Sequence, residues 1–186
     1  SRKPSFRYKG LLKKDFFPSI FSASGRANAP MVFAGYGVTA PEHNYDDYLG
    51  INVRGKIAVV MNHEPNGNKT NSSVDYFLDS KYNEVLYKIT NAQAHHAVGL
   101  VIISNNPSDP KDKRFPDKAR TVWPKNKMIQ LHQLKEQVDR VHIPVVHVSS
   151  KVLEPVLRNL KTSLGKIQKE INETKQSRSF SLPRVK

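Results

Sequence analysis

Three short, mainly apolar runs constrain the fold more than any other feature of this 186-residue chain. They occupy residues 57–61, 100–103 and 143–148, and long polar stretches separate them. An apolar run of about four to eight residues without alternation is typical of a strand that is buried on both faces of a sheet. The chain is therefore predicted to build a central sheet with covered faces, as in an α/β fold.

The stretch between the first two runs has a different spacing. From Tyr82 to His96, apolar and aromatic side chains recur at steps of three and four residues, which predicts an amphipathic helix. A strand, a helix and a second strand in this order resemble a βαβ unit. Its crossover would be right-handed if the two strands are parallel.

Further strand patterns lie nearer the two ends of the chain. Residues 31–38 predict a strand that leads into a tight turn, because aromatic and β-branched side chains there are interrupted by Gly35 and Gly37. Residues 179–185 alternate like a strand that has lost its partner. Residues 1–14 show no pattern that assigns them to an element.

Two helices are predicted after the third run. Either Ser149 or Ser150 is expected to begin the first, and Ser163 is expected to cap the second. Pro155 fits the first turn of a helix that begins late, whereas it would kink a helix that begins at Ser150.

The charge of the chain is strongly basic, with 30 Lys and Arg against 16 Asp and Glu and a net charge of +14. The excess lies mainly at the two ends and in one central polar stretch, so a single basic face would have to be assembled from separate pieces. No nucleic-acid motif accompanies the charge, and a nucleic-acid partner is not expected. A module that binds anions through the basic ends stays open as an alternative function.

Several classes of protein are excluded by what the sequence lacks. Without cysteine there is no disulfide scaffold, thiolate zinc cluster, cysteine nucleophile or iron–sulfur site. No apolar run approaches the roughly 20 residues that span a bilayer. The chain begins at Ser1 rather than at methionine, so we expect a processed piece of a longer protein from which a leader is missing.

The seven histidines do not form a recognisable metal site. His95 and His96 are adjacent and point about 100° apart on a helix, which prevents both from binding one ion. His142 and His147 are separated by an odd number of positions, so on one strand they would face opposite sides. We expect structural or solvated roles for these side chains.

Asp46 and Asp47 are the neighbouring carboxylates of the chain. Paired acids serve in glycoside or peptide hydrolysis, but these two lie in a predicted turn, where short side chains bind the local backbone. The sequence also lacks a nucleophile elbow, a phosphate-binding loop and a dinucleotide fingerprint. No catalytic residue is therefore predicted, and the chain is not expected to be an enzyme by itself.

Three blocks of sequence, in this order, are similar to one known domain. They contain Phe33-Ala34-Gly35-Tyr36-Gly37-Val38 with Asn44-Tyr45-Asp46-Asp47-Tyr48, then Asn91-Ala92-Gln93 leading to Gly99-Leu100-Val101-Ile102-Ile103, and then Ile143-Pro144-Val145-Val146-His147-Val148. The combination resembles the protease-associated (PA) domain that is inserted in secreted bacterial zinc aminopeptidases. One departure is His96, which stands where that family commonly has a glycine at the helix end.

The resemblance implies a swivelling β/β/α fold of the α/β class, with mixed sheets and flanking helices. It divides the chain into an unplaced basic segment (1–14), a PA domain (15–160), and a helix and linker strand leading toward an absent peptidase domain (161–186). It also implies a secreted, periplasmic or cell-surface location. Zinc is expected in the parent peptidase domain, whose ligand motifs this chain lacks, and no cofactor is expected here.

The function that the resemblance implies is a non-catalytic lid or peptide-interaction module whose partners are the parent peptidase domain and a peptide or protein substrate. Two long polar stretches, residues 63–80 and 108–128, are the predicted contact loops. The candidate binding residues supply apolar area or positive charge: Tyr76, Phe115, Trp123, Arg114, Lys118 and Arg120. For each, the alternative is a side chain folded back on its own domain. A free-standing protein–protein adaptor of the sorting type is the other alternative.

Overall fold

The computed structural model describes residues 8–65, 80–104, 115 and 131–183. Within these residues there are eight strands and four α-helices. The strands are β1 (Phe16–Pro18), β2 (Met31–Ala34), β3 (Thr39–Ala40), β4 (Tyr45–Asp46), β5 (Ile57–Met61), β6 (Gly99–Ile103), β7 (Val145–Val148) and β8 (Ser179–Ser181). The helices are α1 (Val85–Ala94), α2 (Leu131–Asp139), α3 (Ser150–Asn159) and α4 (Leu164–Thr174), with short 3-10 helices at Pro41–His43 and Ser80–Asn83.

Six strands form one mixed sheet in the order β1-β7-β6-β5-β2-β8. The four inner strands run parallel, and β1 and β8 close the two edges in antiparallel orientation. The three apolar runs of the sequence are β5, β6 and β7, next to one another at the centre. Strands β3 and β4 form a separate antiparallel pair. The predicted α/β class, with mixed sheets and flanking helices, is confirmed.

Both faces of the sheet are covered by helices. Val59 and Met61 of β5 face a cluster that includes apolar side chains of α3 and α4, whereas Ala58 and Val60 face a cluster that includes α1. Every residue of β5 is buried. Each fully buried valine contributes roughly 1.5–3 kcal/mol, which explains why this strand is apolar throughout rather than alternating.

Helix α1 confirms the predicted amphipathic helix. Its last residue is Ala94, and His96 lies just beyond its end. His96 has a φ of +62°, in the left-handed region. Its N–H donates to Gln93 O at 2.8 Å, and the N–H of Ala97 donates to Ala92 O at 3.0 Å. These are the two bonds of a Schellman-type helix end, whose left-handed position glycine usually occupies.

The structure also resolves the beginnings of the last two helices. Helix α3 begins at Ser150 and contains Pro155, so the later start is not the one adopted. Ser163 caps α4 as predicted, because its hydroxyl accepts a hydrogen bond from Lys166 N at 3.3 Å.

The strand near the carboxyl terminus has a partner, so the expectation of an unpaired strand was wrong. Strand β8 pairs with β2, placing Phe180 opposite Phe33 with ring centroids 5.0 Å apart. The opposite edge strand, β1, was not predicted. It has three residues and ends in Pro18, and so short a strand has no periodicity to detect.

Candidate functional site

The four parallel strands place the turns that follow them at one edge of the sheet. We call this side of the sheet, where the parallel strands end, the carboxyl edge; it is distinct from the edge strands β1 and β8. The last residues of β2, β5, β6 and β7 lie there: Ala34, Met61, Ile103 and Val148. Strands β5 and β6 are neighbours, so the chain leading to α1 and the chain leading to α2 begin side by side. In open α/β sheets, ligands bind outside the carboxyl ends of the strands. This edge is therefore the candidate site.

A buried carboxylate organises the turn after β2. Asp47 has no exposed surface. Its Oδ2 accepts hydrogen bonds from the backbone N–H groups of Tyr36 at 2.9 Å and Val38 at 3.1 Å. Its Oδ1 accepts one from the hydroxyl of Tyr45 at 2.7 Å. The prediction that these neighbouring acids bind the local backbone holds for Asp46, whose Oδ1 accepts from Tyr48 N at 2.8 Å. It was wrong for Asp47, whose backbone partners lie eleven and nine residues earlier in the chain.

Gly35 allows this carboxylate to approach. Its φ is +46°, and a Cβ atom added there would lie 2.0 Å from Asp47 Oδ1. Glycine is thus required at this position for two reasons: the left-handed backbone and the absence of space for a side chain.

A buried lysine lies beside the same turn. Lys88 projects from α1 and is fully buried. Its Nζ donates to Tyr36 O at 2.6 Å and to His63 O at 2.5 Å. One side chain thereby joins residues that follow two different strands, β2 and β5.

The electrostatics of Asp47 and Lys88 are dominated by their burial. Burial raises the pKa of Asp47 from 3.8 to about 7, against the lowering effect of its hydrogen bonds and of Lys88. Burial lowers the pKa of Lys88 from 10.5 to about 7, against the raising effect of Asp47 and Glu64. Shifts of this kind often mark functional groups. Because neither side chain reaches solvent, however, neither can touch a substrate, and both act on the arrangement of the edge.

A second set of side-chain contacts lies just before α1, at Lys81 and Tyr82. Tyr82 is 1% exposed, and its hydroxyl donates to the carboxylate of Glu42. Lys81 Nζ lies 3.5 Å from Glu42 Oε1 and 4.7 Å from the centre of the Tyr82 ring. Burial and Glu42 together raise the pKa of Tyr82 to about 12. The 3-10 helix Ser80–Asn83 is thus attached to the 3-10 helix Pro41–His43.

A serine and a histidine are in contact where β6 ends. Ser104 Oγ lies 2.5 Å from His147 Nδ1. Such a contact is also found between the nucleophile and base of a hydrolase. Here Ser104 is 3% exposed and His147 is 7% exposed, and the imidazole stacks on Phe17 with centroids 4.8 Å apart. A buried, stacked imidazole stabilises the interior, in agreement with the structural role expected for His147.

Of the candidate binding residues, the structure describes one. Phe115 is 2% exposed and packs on Phe17, with ring centroids 5.3 Å apart and ring planes at 37°. Phe115 is thus folded back on its own domain, which was the alternative to a role in peptide binding. The others lie outside the described residues: Tyr76, Arg114, Lys118, Arg120 and Trp123.

Sequence reasoning missed the importance of Lys88. A clue was present, because Lys88 follows Val85 by three residues and precedes Ala92 by four, at the spacing of one helical face. A lysine on a mainly apolar face is either extended to solvent or buried with partners. Lys88 is buried, and its Nζ has two carbonyl partners.

The part of the chain that the structure describes contains neither a metal site nor a membrane-spanning helix. In the described ranges, no three His, Asp or Glu side chains are grouped so that they could hold a metal ion. Of the helices in the described part of the chain, none combines the length and the apolar character needed to cross a bilayer.

A cavity of about 790 Å³ lies at the opposite, amino edge of the sheet. Its walls are formed largely by apolar residues at the beginnings of the strands, such as Met31, Ile57 and Val145. Ser22 also lines it, but its hydroxyl donates to Ala23 O and accepts from Val145 N. A ligand site needs polar groups directed at the ligand, so this cavity is a weaker candidate than the carboxyl edge.

Comparison with known proteins identifies the class to which this fold belongs. The family model described as PA domain matches residues 27–155. That match covers more than half of the chain, and the chain belongs to the PA domain family.

The individual relatives are distant. No curated protein matches the sequence. Among solved structures, the aminopeptidase from Aneurinibacillus sp. strain AM-1 is similar with a TM-score of 0.42 and 13% sequence identity, over 92% of this chain and 28% of that chain. This chain thus spans less than a third of the length of that aminopeptidase. So weak a likeness assigns neither an activity nor a partner to this protein.

Proposed function

We propose that this PA domain is a non-catalytic part of a zinc aminopeptidase, where it lies beside the active-site cleft and governs which peptides reach it. Family membership supports the first half of the proposal. The catalytic zinc, and the groups that bind it, belong in this proposal to a separate peptidase domain. A secreted, periplasmic or cell-surface location is part of the same proposal.

The single observation that supports peptide contact is the adjacency of β5 and β6. Their parallel pairing, with Met61 opposite Ile103, brings the start of two long polar segments to one edge. Binding residues are typically placed on loops that a rigid scaffold positions. Here the scaffold is the sheet with α1 on one face and α3 and α4 on the other.

The side chains proposed for contact come from these two segments. Tyr76 and Trp123 would supply apolar and aromatic area, which is the usual basis of strong contacts at an interface. Arg114, Lys118 and Arg120 would bind a peptide carboxylate or an acidic side chain, and the arginines could do so with two parallel hydrogen bonds. These assignments rest on residue type and on the segments to which the residues belong.

The absence of catalysis is tested with the chain as it stands. The purified protein is incubated with zinc and an aminoacyl-arylamide, and release of the arylamine is followed. No turnover above the rate in buffer is expected. Turnover by this chain would contradict the proposal.

The access role is tested in the aminopeptidase that contains this domain. Trp123→Ala and Arg120→Ala should change the ratio of kcat/KM for a dipeptide and a longer peptide by about five- to tenfold. Arg54→Ala is the matched control, because Arg54 is exposed but precedes β5 at the opposite edge. Unchanged ratios in both variants would remove these residues from the site and favour the adaptor function.

A further inference from the structure

The contact between Lys88 and His63 lies where the chain leaves the sheet. The sheet hydrogen bonds extend to Asn62, whose N–H donates to Ile103 O at 2.9 Å. The following carbonyl, that of His63, accepts from Lys88 Nζ at 2.5 Å. A buried side chain of α1 thus fixes the chain at His63, one residue beyond Asn62 and two beyond the end of β5.

His63 adopts a backbone conformation that needs such support. Its φ is +69°, in the left-handed region, which a residue with a Cβ atom seldom occupies. Conformations of this kind persist where surrounding contacts hold them. The bond from Lys88 holds the carbonyl of this very residue.

The second bond of Lys88 connects His63 to a rigid neighbour. Tyr36 O accepts from the same Nζ at 2.6 Å, and the N–H of Tyr36 donates to the buried carboxylate of Asp47. The negative charges of Asp47 and Glu64 act to raise the pKa of Lys88, and its Nζ lies 6.0 Å from the centre of the Tyr36 ring. The two carbonyl acceptors, the two carboxylates and the ring face favour the ammonium form of Lys88 and oppose the effect of its burial.

We propose that Lys88 is a positioning residue of the peptide-contact site: its amino group fixes the start of the 63–80 segment against the turn that follows β2. The inference rests on the proposed function in one respect, the assignment of that segment to peptide contact. Lys88 has no exposed surface and does not itself meet the peptide. It fixes the backbone of His63, where the chain leaves β5.

The test exploits the absence of cysteine from the chain. Lys88→Cys provides one thiol, which is alkylated in urea either with 2-bromoethylamine or with 1-bromopropane before refolding. The two products have side chains of the same length and differ in whether the chain ends in an ammonium or a methyl group. Hydrogen exchange is then measured over residues 36–38 and 62–64.

The aminoethyl product should retain the exchange rates of the wild type at both turns. The propyl product should exchange there at least about tenfold faster, because bonds from a charged donor are lost, while the amides of α4 remain unchanged. Equal rates in the two products, or an acceleration spread evenly over α4, would overturn the proposal. If the propyl product does not refold, Lys88→Met, expressed without an unfolding step, is compared with the wild type by the same criterion.

Ile89→Val is the matched control for general destabilisation. Ile89 is the next residue of α1, is equally buried, and packs in the hydrophobic cluster between α1 and the sheet. It should accelerate exchange without a focus at residues 62–64. Because no peptide is present in these measurements, a failed peptide-selectivity test and a failed exchange test are separate results.

Discussion

The hydroxyl of Tyr45 donates a 2.7 Å hydrogen bond to Oδ1 of Asp47, two residues further along the chain. The other oxygen of this carboxylate, Oδ2, accepts hydrogen bonds from the backbone N–H groups of Tyr36 and Val38. A segment beyond β2 is thereby folded around one buried anion. The nearest buried cation, Lys88, is held by the same turn through Tyr36 O.

Asp47→Asn should destabilise the protein by about 3 kcal/mol, because an amide nitrogen replaces one of the two carboxylate oxygens that accept the three hydrogen bonds, and buried donors then lack an acceptor. Asp46→Asn is the control and should cost less than about 1 kcal/mol. Asp46 is half-buried, and its Oδ1, which an asparagine retains, accepts the bonds from Thr39 and Tyr48. Urea unfolding followed by circular dichroism measures both. Equal losses in the two variants would contradict the central role of Asp47.

The stability of the protein should depend on pH through the same pair. The pKa of Asp47 is raised from 3.8 to about 7 by burial, so the folded protein binds more protons between these values. Its contribution is therefore present below pH 3.8 and is lost as the pH rises toward 7. The pKa of Lys88 is lowered from 10.5 to about 7, so the unfolded chain binds more protons between these values, and stability rises with pH there.

The two effects together predict that the contribution of Asp47 and Lys88 to the free energy of unfolding is smallest near pH 7. It is measured as the free energy of unfolding of the wild type minus that of the double variant Asp47→Asn, Lys88→Met, at intervals from pH 4 to pH 10. The double variant removes both titrating groups and leaves the other ionisable residues in place. A difference that increases from pH 4 to pH 7 would show that the pair is ionised in the fold and that attraction outweighs burial.

Gly35→Ala should be among the most destabilising alanine substitutions in the chain. The new methyl group would lie 2.0 Å from Asp47 Oδ1, an atom that Tyr45 holds in place, at a φ of +46°. A loss of about 3 kcal/mol or more is expected. Gly55→Ala separates the two causes, since its φ is +67° but no atom lies within 4 Å. It should cost only the conformational strain, about 1 kcal/mol.

The centre of the fold was predictable because burial on both faces has a simple signature in the sequence. Residues 57–61 and 100–103 contain little but apolar side chains, and no other common element of that length needs them. The helix between them was predictable for a similar reason, since its spacing reflects one buried face. The contact of Asp46 with Tyr48 N was predictable from local chemistry, because short acidic side chains bind nearby backbone amides. The backbone partners of Asp47 lie eleven and nine residues away and were not predictable in this way.

The carboxyl edge was not predictable, because its contacts join residues that are distant in sequence. Lys88 and Tyr36 are 52 residues apart, and a lysine is expected at the surface unless the fold supplies acceptors for it. Strand β1 and the partner of β8 were not predictable for a related reason, although the alternation of residues 179–185 did indicate a strand. Each strand has three residues, and its partner, β7 for β1 and β2 for β8, is distant in sequence.

His96→Gly should stabilise the protein by about 0.5–1 kcal/mol, because it relieves a left-handed backbone at the end of α1. His95→Gly is the control. Its φ is −85° and its ring stacks on Tyr48 with centroids 4.1 Å apart, so glycine there should destabilise by about 1 kcal/mol. Thermal unfolding of the two variants should therefore shift in opposite directions. A shift to lower Tm in His96→Gly would mean that the imidazole makes contacts worth more than the strain.

Phe115 distinguishes a packing role from a peptide-contact role. Its ring is 2% exposed and lies on Phe17, which in turn stacks on His147 of β7. Phe115→Ala should therefore cost about 3 kcal/mol of stability through the cavity it leaves, and Phe115→Leu about 1 kcal/mol. In the aminopeptidase that we propose contains this domain, Phe115→Leu should leave the ratio of kcat/KM for short and long peptides unchanged, whereas Trp123→Ala should alter it. If Phe115→Leu changed that ratio without lowering the Tm, Phe115 would belong to the contact surface, and the packing against Phe17 would have to open when peptide binds.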